Sequence, residues 1–236
     1  MFKIITQTDD FVVISKAKNV NFHDEGDIGA GLFAQVKEAL LKKFNIKDLY
    51  PIHRLDKITS GLLIFAKNST SAKTFSELFE SHQVEKYYLA ISDHKPTKKQ
   101  GLIKGDMAKS RRGMFKLMRT MNNPAITQFF SYSIANKQRL YVLKPHTGKT
   151  HQLRVALCSI GAPIIGDPLY ASNSAETLNK KPDRGYLHAY ALRFEFSGQL
   201  YEFVLPPSEG DLFLSQSFTD KLIAIKQPWL LNWPKL

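Results

Sequence analysis

The chain has 236 residues, 43% of them hydrophobic, with 33 Lys and Arg against 21 Asp and Glu, a net charge of +12 and a pI near 9.6. That length supports one substantial core in one or two domains, and the positive excess points to a polyanionic partner, most simply nucleic acid, although a merely basic surface gives the same balance. A single cysteine, Cys158, excludes an internal disulfide framework; no Cys/His cluster has zinc spacing, the amino terminus lacks the long apolar stretch of a signal peptide, and no apolar run reaches the ~20 residues that cross a bilayer. The expectation is a cytoplasmic protein in a reducing compartment, with no membrane span.

Taken in chain order, Phe11 to Ser15 reads as a short buried strand after the Asp9-Asp10 turn. Leu32, Phe33, Val36, Leu40 and Phe44 recur at helical spacing, so residues 29–44 should form an amphipathic helix with Lys37, Lys42 and Lys43 on its solvated face. His23, in the loop before it, is a candidate substrate contact or a plain surface residue. The stretch from Tyr50 to Lys67 is the most informative. Gly61 to Ala66 is an uncharged apolar run, as in a strand buried on both faces. Just before it stand His53, Arg54, Asp56, Lys57, Thr59 and Ser60. Polar groups at the mouth of a buried strand are costly unless they pair with one another or with a ligand. A carboxylate among cations suits a nucleophile or a general base, and equally a structural ion pair.

Asn68 to Ser71 offers capping side chains for a second helix ending near His82, and Val84 to Ile91 follows as a strand carrying Lys86-Tyr87-Tyr88. From Lys95 to Arg119 there are nine Lys and Arg and one acid, Asp106. Its densest part, Lys109 to Lys116, interleaves Lys109, Arg111, Arg112 and Lys116 with Met114 and Phe115, which suits a hairpin or loop lying along phosphates, or else a solvated loop that binds nothing. Ala125 to Tyr132 and Leu140 to Lys144 read as antiparallel strands. Leu153, Leu157 and Ile160 then mark a short helix closed by Gly161, with His151 and Arg154 three apart on one face. A last hairpin, 186–196 and 199–205, turns at Ser197-Gly198; residues 212–225 suit a closing helix, and the tail from Pro228 to Pro234 is placed to dock on the body.

Two stretches carry a resemblance. His53-Arg54-Leu55-Asp56 with Thr59-Ser60-Gly61-Leu62-Leu63 and Ala66-Lys67 resembles the signature of the RluA-type pseudouridine synthases. Thr147-Gly148-Lys149-Thr150-His151-Gln152-Leu153-Arg154-Val155, followed by Gly161-Ala162-Pro163-Ile164 and Gly166-Asp167 with Tyr170, is similar to the same family's second signature. Lys149, Ala156 and Ala162 depart from it, and a Pro and a Gly are missing near Lys18. Lys149 keeps the charge of the usual Arg but loses its bidentate fork.

The resemblance, from about residue 10 to 207, implies a mixed α/β (α+β) pseudouridine synthase fold: a long, mostly antiparallel sheet with flanking helices and an active-site cleft. It implies a single catalytic domain over residues 1–236, without a separate amino-terminal RNA-binding domain, and isomerisation of uridine to pseudouridine in ribosomal or transfer RNA. Asp56 would be the catalytic residue, Arg154 its partner and Tyr88 a ring stacked on the base. His53, Arg54, Lys149 and His151, with the basic stretch, would contact RNA. No metal or other cofactor is called for, and a monomer without an obligate protein partner is expected. The departures leave open a catalytically silent RNA-binding protein on the same scaffold; a DNA-binding module has only the charge in its favour.

Overall fold

The computed structural model describes residues 1–26, 28–171 and 181–236. The chain opens with β1 (Phe2–Gln7) and β2 (Phe11–Lys16), which pair antiparallel. β1 shows half-buried residues alternating with exposed ones, the pattern of an edge strand, whereas β2 is almost wholly buried. Helix α1 (Leu32–Phe44) buries Leu32, Val36 and Leu40, the expected stripe, and ends at Asn45 in the left-handed conformation. After β3 (Tyr50–Pro51) comes β4 (Ser60–Ala66), buried at every position. Helix α2 (Ser69–Glu80) begins where Asn68 accepts a hydrogen bond from the Ser71 backbone N–H at 2.8 Å. Strand β5 (Glu85–Ser92) follows.

The period-2 geometry of strands explains how β2 and β4 serve two cores. Val12, Ile14, Leu63 and Phe65 join α1 on one face, and Phe11, Val13, Leu62 and Ile64 join Phe75 of α2 on the other. Further on lie β6 (Gln100–Gly105), the small ribbon β7 (Met107–Lys109) and β8 (Phe115–Leu117), the long pair β9 (Ala125–Ser133) and β10 (Arg139–Pro145), helix α3 (Gln152–Ser159), the hairpin β11 (Leu187–Phe196) and β12 (Gln199–Val204), and helix α4 (Gln216–Ile223). The main sheet has ten strands in the order β1-β2-β4-β11-β5-β10-β9-β6, with β3 on β4 and β12 on β11. Among the described residues every ladder is antiparallel except β4 with β11, where His188 faces Ser60 and Ala189 faces Gly61. The mixed α+β, mostly antiparallel architecture expected from the sequence is therefore present.

That one parallel contact is unusually close. A Cβ built on Gly61, whose φ is +111°, would meet the Ala189 carbonyl oxygen at 2.2 Å. Only glycine lets β4 start this near β11. The tail also docks: Trp229 and Trp233 lie against Tyr87, Trp233 packs edge-on to Phe130 at 4.9 Å, and the Gln128 amide donates to the Pro234 carbonyl. Tyr87 and Tyr88 point to opposite faces of β5, so the tail covers the face that Tyr88 does not use.

Candidate active site

The turn leading into β4 presents Asp56. Its backbone is closed by a Thr59 N–H to Asp56 carbonyl bond of 3.0 Å, and Lys16 reaches from β2 to donate to the carbonyls of Lys57 at 3.2 Å and Thr59 at 2.7 Å. The Asp56 side chain is 28% exposed and accepts from Arg154 Nη1 at 3.3 Å. Ninety-eight positions apart in sequence, the two expected partners are brought together.

Arg154 is held more tightly by a second acid. Its Nε and Nη2 donate to the two oxygens of Asp167 at 2.7 and 2.8 Å, a bidentate fork with both side chains buried. Asp167 also accepts from the backbone N–H groups of Leu169 and Tyr170, at 2.9 and 3.2 Å. The expectation that Arg154 has Asp56 as its buried partner is thus refined: Asp167 fixes the guanidinium, and one remaining nitrogen is aimed at a half-open Asp56. Burial works against the Arg154 charge, but Asp167 and then Asp56 outweigh it and raise the guanidinium above its ordinary value.

Tyr170 extends this arrangement. The Arg154 guanidinium lies over its ring at 5.0 Å, and its hydroxyl meets His151 Nδ1 at 3.0 Å and accepts from the Phe115 backbone N–H at 2.8 Å. Phe115 stands edge-on to His151 at 5.7 Å between ring centres. Tyr170 therefore ties the basic ribbon to Arg154. His151 precedes α3 in the left-handed conformation, φ 56°. Burial, with the Arg154 charge adding to it, pulls its imidazole below the ordinary value and keeps it neutral near pH 7.

Tyr88 is 8% exposed and pairs across the sheet with Ala189, which in turn faces Gly61. This register sets Tyr88 beside the Asp56 turn. Burial and then the Asp56 charge push its phenol upward, so it remains protonated. Arg54 is exposed. Lys109, Arg111, Arg112 and Lys116 are exposed on or beside the β7–β8 ribbon, and among the described residues none forms an ion pair. Lys149 donates to Asn123 at 2.7 Å, on the 120–123 turn that Asp106 organises by accepting from the Asn122 and Asn123 N–H groups. His23 is exposed.

His53 is turned inward. Its Nε2 accepts from the Ile64 N–H at 3.2 Å, and its ring stacks on Phe79 at 5.1 Å. Burial lowers its pKa to about 3 and that of His188 to about 4. The Leu205 carbonyl accepts from His188 Nε2, so Nδ1 is the acceptor for Ser60. Both rings are neutral in the folded chain, whereas an unfolded histidine takes a proton near pH 6.5. Below pH 6.5 the unfolded state binds more protons, and stability falls with pH by about 2 kcal/mol per histidine at pH 5. Thermal melts across pH 5–8 should show this decline, with a shallower slope in His53→Gln; an equal slope in that variant would remove His53 from the account.

The residues that sequence reasoning left unassigned are Asp167, Tyr170 and Lys16. The first two sat in plain view in the second signature. Gly166, which precedes Asp167 with φ +74°, carries the local signal: a Cβ there would strike the Arg184 carbonyl oxygen at 1.9 Å.

The family described as RNA pseudouridylate synthase matches residues 10–159. An RNA pseudouridine synthase of Haemophilus influenzae is 43% identical over 230 residues, 97% of this chain and 98% of that protein. The ribosomal large subunit pseudouridine synthase C of Rickettsia bellii is 33% identical over 192 residues, 79% of this chain and 61% of that one. Among solved structures, human RNA pseudouridylate synthase domain containing 1 aligns with a TM-score of 0.73 at 24% identity, covering 100% and 97% of the two chains, and shares the fold. Human RNA pseudouridylate synthase domain containing 4 gives 0.69 at 25%, covering 93% and 91%. The chain belongs to the RNA pseudouridine synthase family, whose members are isomerases acting on RNA. No helix among the described residues is long and apolar enough to cross a membrane.

Proposed function

We propose that this chain converts uridine to pseudouridine in a structured RNA, with Asp56 as the nucleophile or proton-abstracting base. The observation that carries the reading is the 3.3 Å contact from Arg154 Nη1 to Asp56 Oδ2, in a guanidinium already locked by Asp167. The reaction rearranges atoms already in the substrate: the glycosidic C–N bond breaks, the base rotates and a C–C bond forms. Such chemistry needs a fixed carboxylate and a dry pocket rather than an external reagent. The base must leave its stack to reach Asp56, because its reacting atoms are otherwise buried in the RNA. Tyr88 offers a neutral ring to stack on the extruded uracil and exclude water.

RNA is gripped by the exposed cations beside this centre, Arg54 and the ribbon's Lys109, Arg111, Arg112 and Lys116, with half-buried Lys149 beside them and His151 between ribbon and cleft. His53 joins that surface only through its Nδ1 edge, since Nε2 is occupied by the Ile64 N–H. The name of the Rickettsia relative makes large-subunit ribosomal RNA the first substrate to try, with transfer RNA second. A cytoplasmic monomer working through this one catalytic domain suffices for the reading. Mapping pseudouridines in total RNA with and without the protein tests it: a uridine converted only in its presence names the target. RNA binding with no conversion would instead favour the silent RNA-binding protein.

Replacing Lys109, Arg111, Arg112 and Lys116 together with neutral residues should weaken RNA binding without unfolding the protein. Each lost phosphate contact flattens the slope of log affinity on log salt by roughly 0.7–0.9. Titrations at several salt concentrations read both effects, and matching slopes for the two proteins would move the grip elsewhere.

A further inference from the structure

Lys16 and Arg184 are buried cations, 1% and 4% exposed, and among the described residues neither has a carboxylate within ion-pair distance. Lys16 spends its three protons on the carbonyls of Ala17, Lys57 and Thr59, the closest at 2.7 Å. Arg184 donates to the carbonyls of Gly185, Glu209 and Leu187 and to the Ser60 hydroxyl. Carbonyls satisfy hydrogen bonds but do not cancel charge, and buried charge without a counter-ion is costly. Burial lowers the pKa of Lys16 to about 7 although the Asp56 charge opposes it, and the Arg184 charge adds to the lowering. The two cations thus feel one another.

Both line a single pocket of about 130 Å³, together with Lys3, Ser15, Ser60, His188, Ser208 and Glu209. Asp56, Tyr88 and Arg154 are not among its walls. Lys3 and Ser208 are exposed at the rim and Ser15 is half-buried. None of these three side chains donates to the protein among the described residues, so an ammonium and two hydroxyls remain available above the buried charges. Lys3, Lys16 and Arg184 thus face one lining carboxylate, that of Glu209, so the pocket is basic.

We propose that this pocket binds a phosphate-class anion, with Lys3, Ser15 and Ser208 contacting its oxygens and Lys16 and Arg184 supplying the charge beneath. Hydrogen phosphate, a terminal phosphate monoester and an RNA phosphate share this chemistry, and the test separates them. Because Lys16 also holds the carbonyls of Lys57 and Thr59, an anion here would rigidify the turn that presents Asp56.

The test uses the full chain and inorganic phosphate. Thermal melts in sodium phosphate should exceed those in sodium chloride of equal ionic strength, with a saturable rise. Ser208→Asp and Lys3→Glu, both at the exposed rim, should weaken that response at least tenfold, while Gln199→Glu at the start of β12, which adds the same charge as Ser208→Asp but away from the pocket, should leave it intact. RNA affinity of the same variants separates the sources. An affinity equal to that of Gln199→Glu assigns the pocket to a small phosphate, and a further loss of threefold or more assigns it to a phosphate of the RNA. Equal melts in phosphate and chloride, or an undiminished response in both rim variants, would overturn the proposal.

Discussion

Asp56→Asn should abolish pseudouridine formation while leaving the protein folded and its RNA affinity largely intact. The Asp56 side chain is 28% exposed and meets the protein through one 3.3 Å bond, so its loss removes little packing. Arg154 keeps its bidentate hold on Asp167 and does not become an orphaned charge. The amide can neither attack as a carboxylate nor accept a proton, and a positioned acid–base group alone contributes about 10²–10⁴-fold. The assay is conversion of a mapped target uridine under single-turnover conditions, beside a binding titration. Turnover within tenfold of the parent would mean that another group does the chemistry.

Arg154→Ala should remove activity and stability together. Here the stability loss arises from Asp167, which is fully buried and would lose both charge-assisted bonds at once. Leaving a buried ion without its partner costs on the order of 3–5 kcal/mol, or roughly 10 °C in melting temperature for a chain of this size. Arg154→Lys should recover more stability than activity, because one ammonium cannot serve Asp167 with two parallel bonds and still reach Asp56. Asp167→Asn makes the complementary test. It should lower the melting temperature and slow turnover with RNA affinity kept, since it loosens the guanidinium without touching the basic ribbon. Normal turnover in Arg154→Ala would contradict the pairing, whatever its stability.

These two experiments bear on what could be read from residues alone. The helical stripe of Leu32, Val36 and Leu40, the cap at Asn68 and the doubly buried run from Gly61 to Ala66 were all legible, because each is a local pattern of burial or hydrogen bonding. β1 was missed: it is short, lies at the sheet edge and buries only every second side chain, and only halfway. The basic stretch gave a hairpin or a loop as its options; it forms the β7–β8 ribbon, beside which Asp106, the stretch's one acid, collects the 120–123 turn. Meeting of Asp56 and Arg154 across 98 positions has no local signature and came only through resemblance to a family. Asp167 and Tyr170 belong to the second signature but carry no role from sequence, because nothing in spacing says that a carboxylate 13 positions after an arginine will fork onto it. His53 shows the converse case, a polar residue in a signature whose partners inside the chain are a backbone N–H and a phenyl ring.

The close seat of Gly61 against Ala189 also sets a timetable for the molecule. The strand that follows Asp56 reaches its parallel neighbour 128 positions later, at the Ser60–His188 bond, and no nearer segment supplies that neighbour. At ordinary synthesis rates of 5–20 residues per second, the ribosome needs roughly 6–26 s to make the intervening chain. Through that interval the β4 edge destined for β11 waits unpaired. Such distant pairings carry the loop-closure entropy that slows folding. The nascent amino-terminal half can pair β4 with β2 and β3, but Ser60 and Gly61, beside the turn bearing Asp56, gain their last neighbour only as β11 arrives.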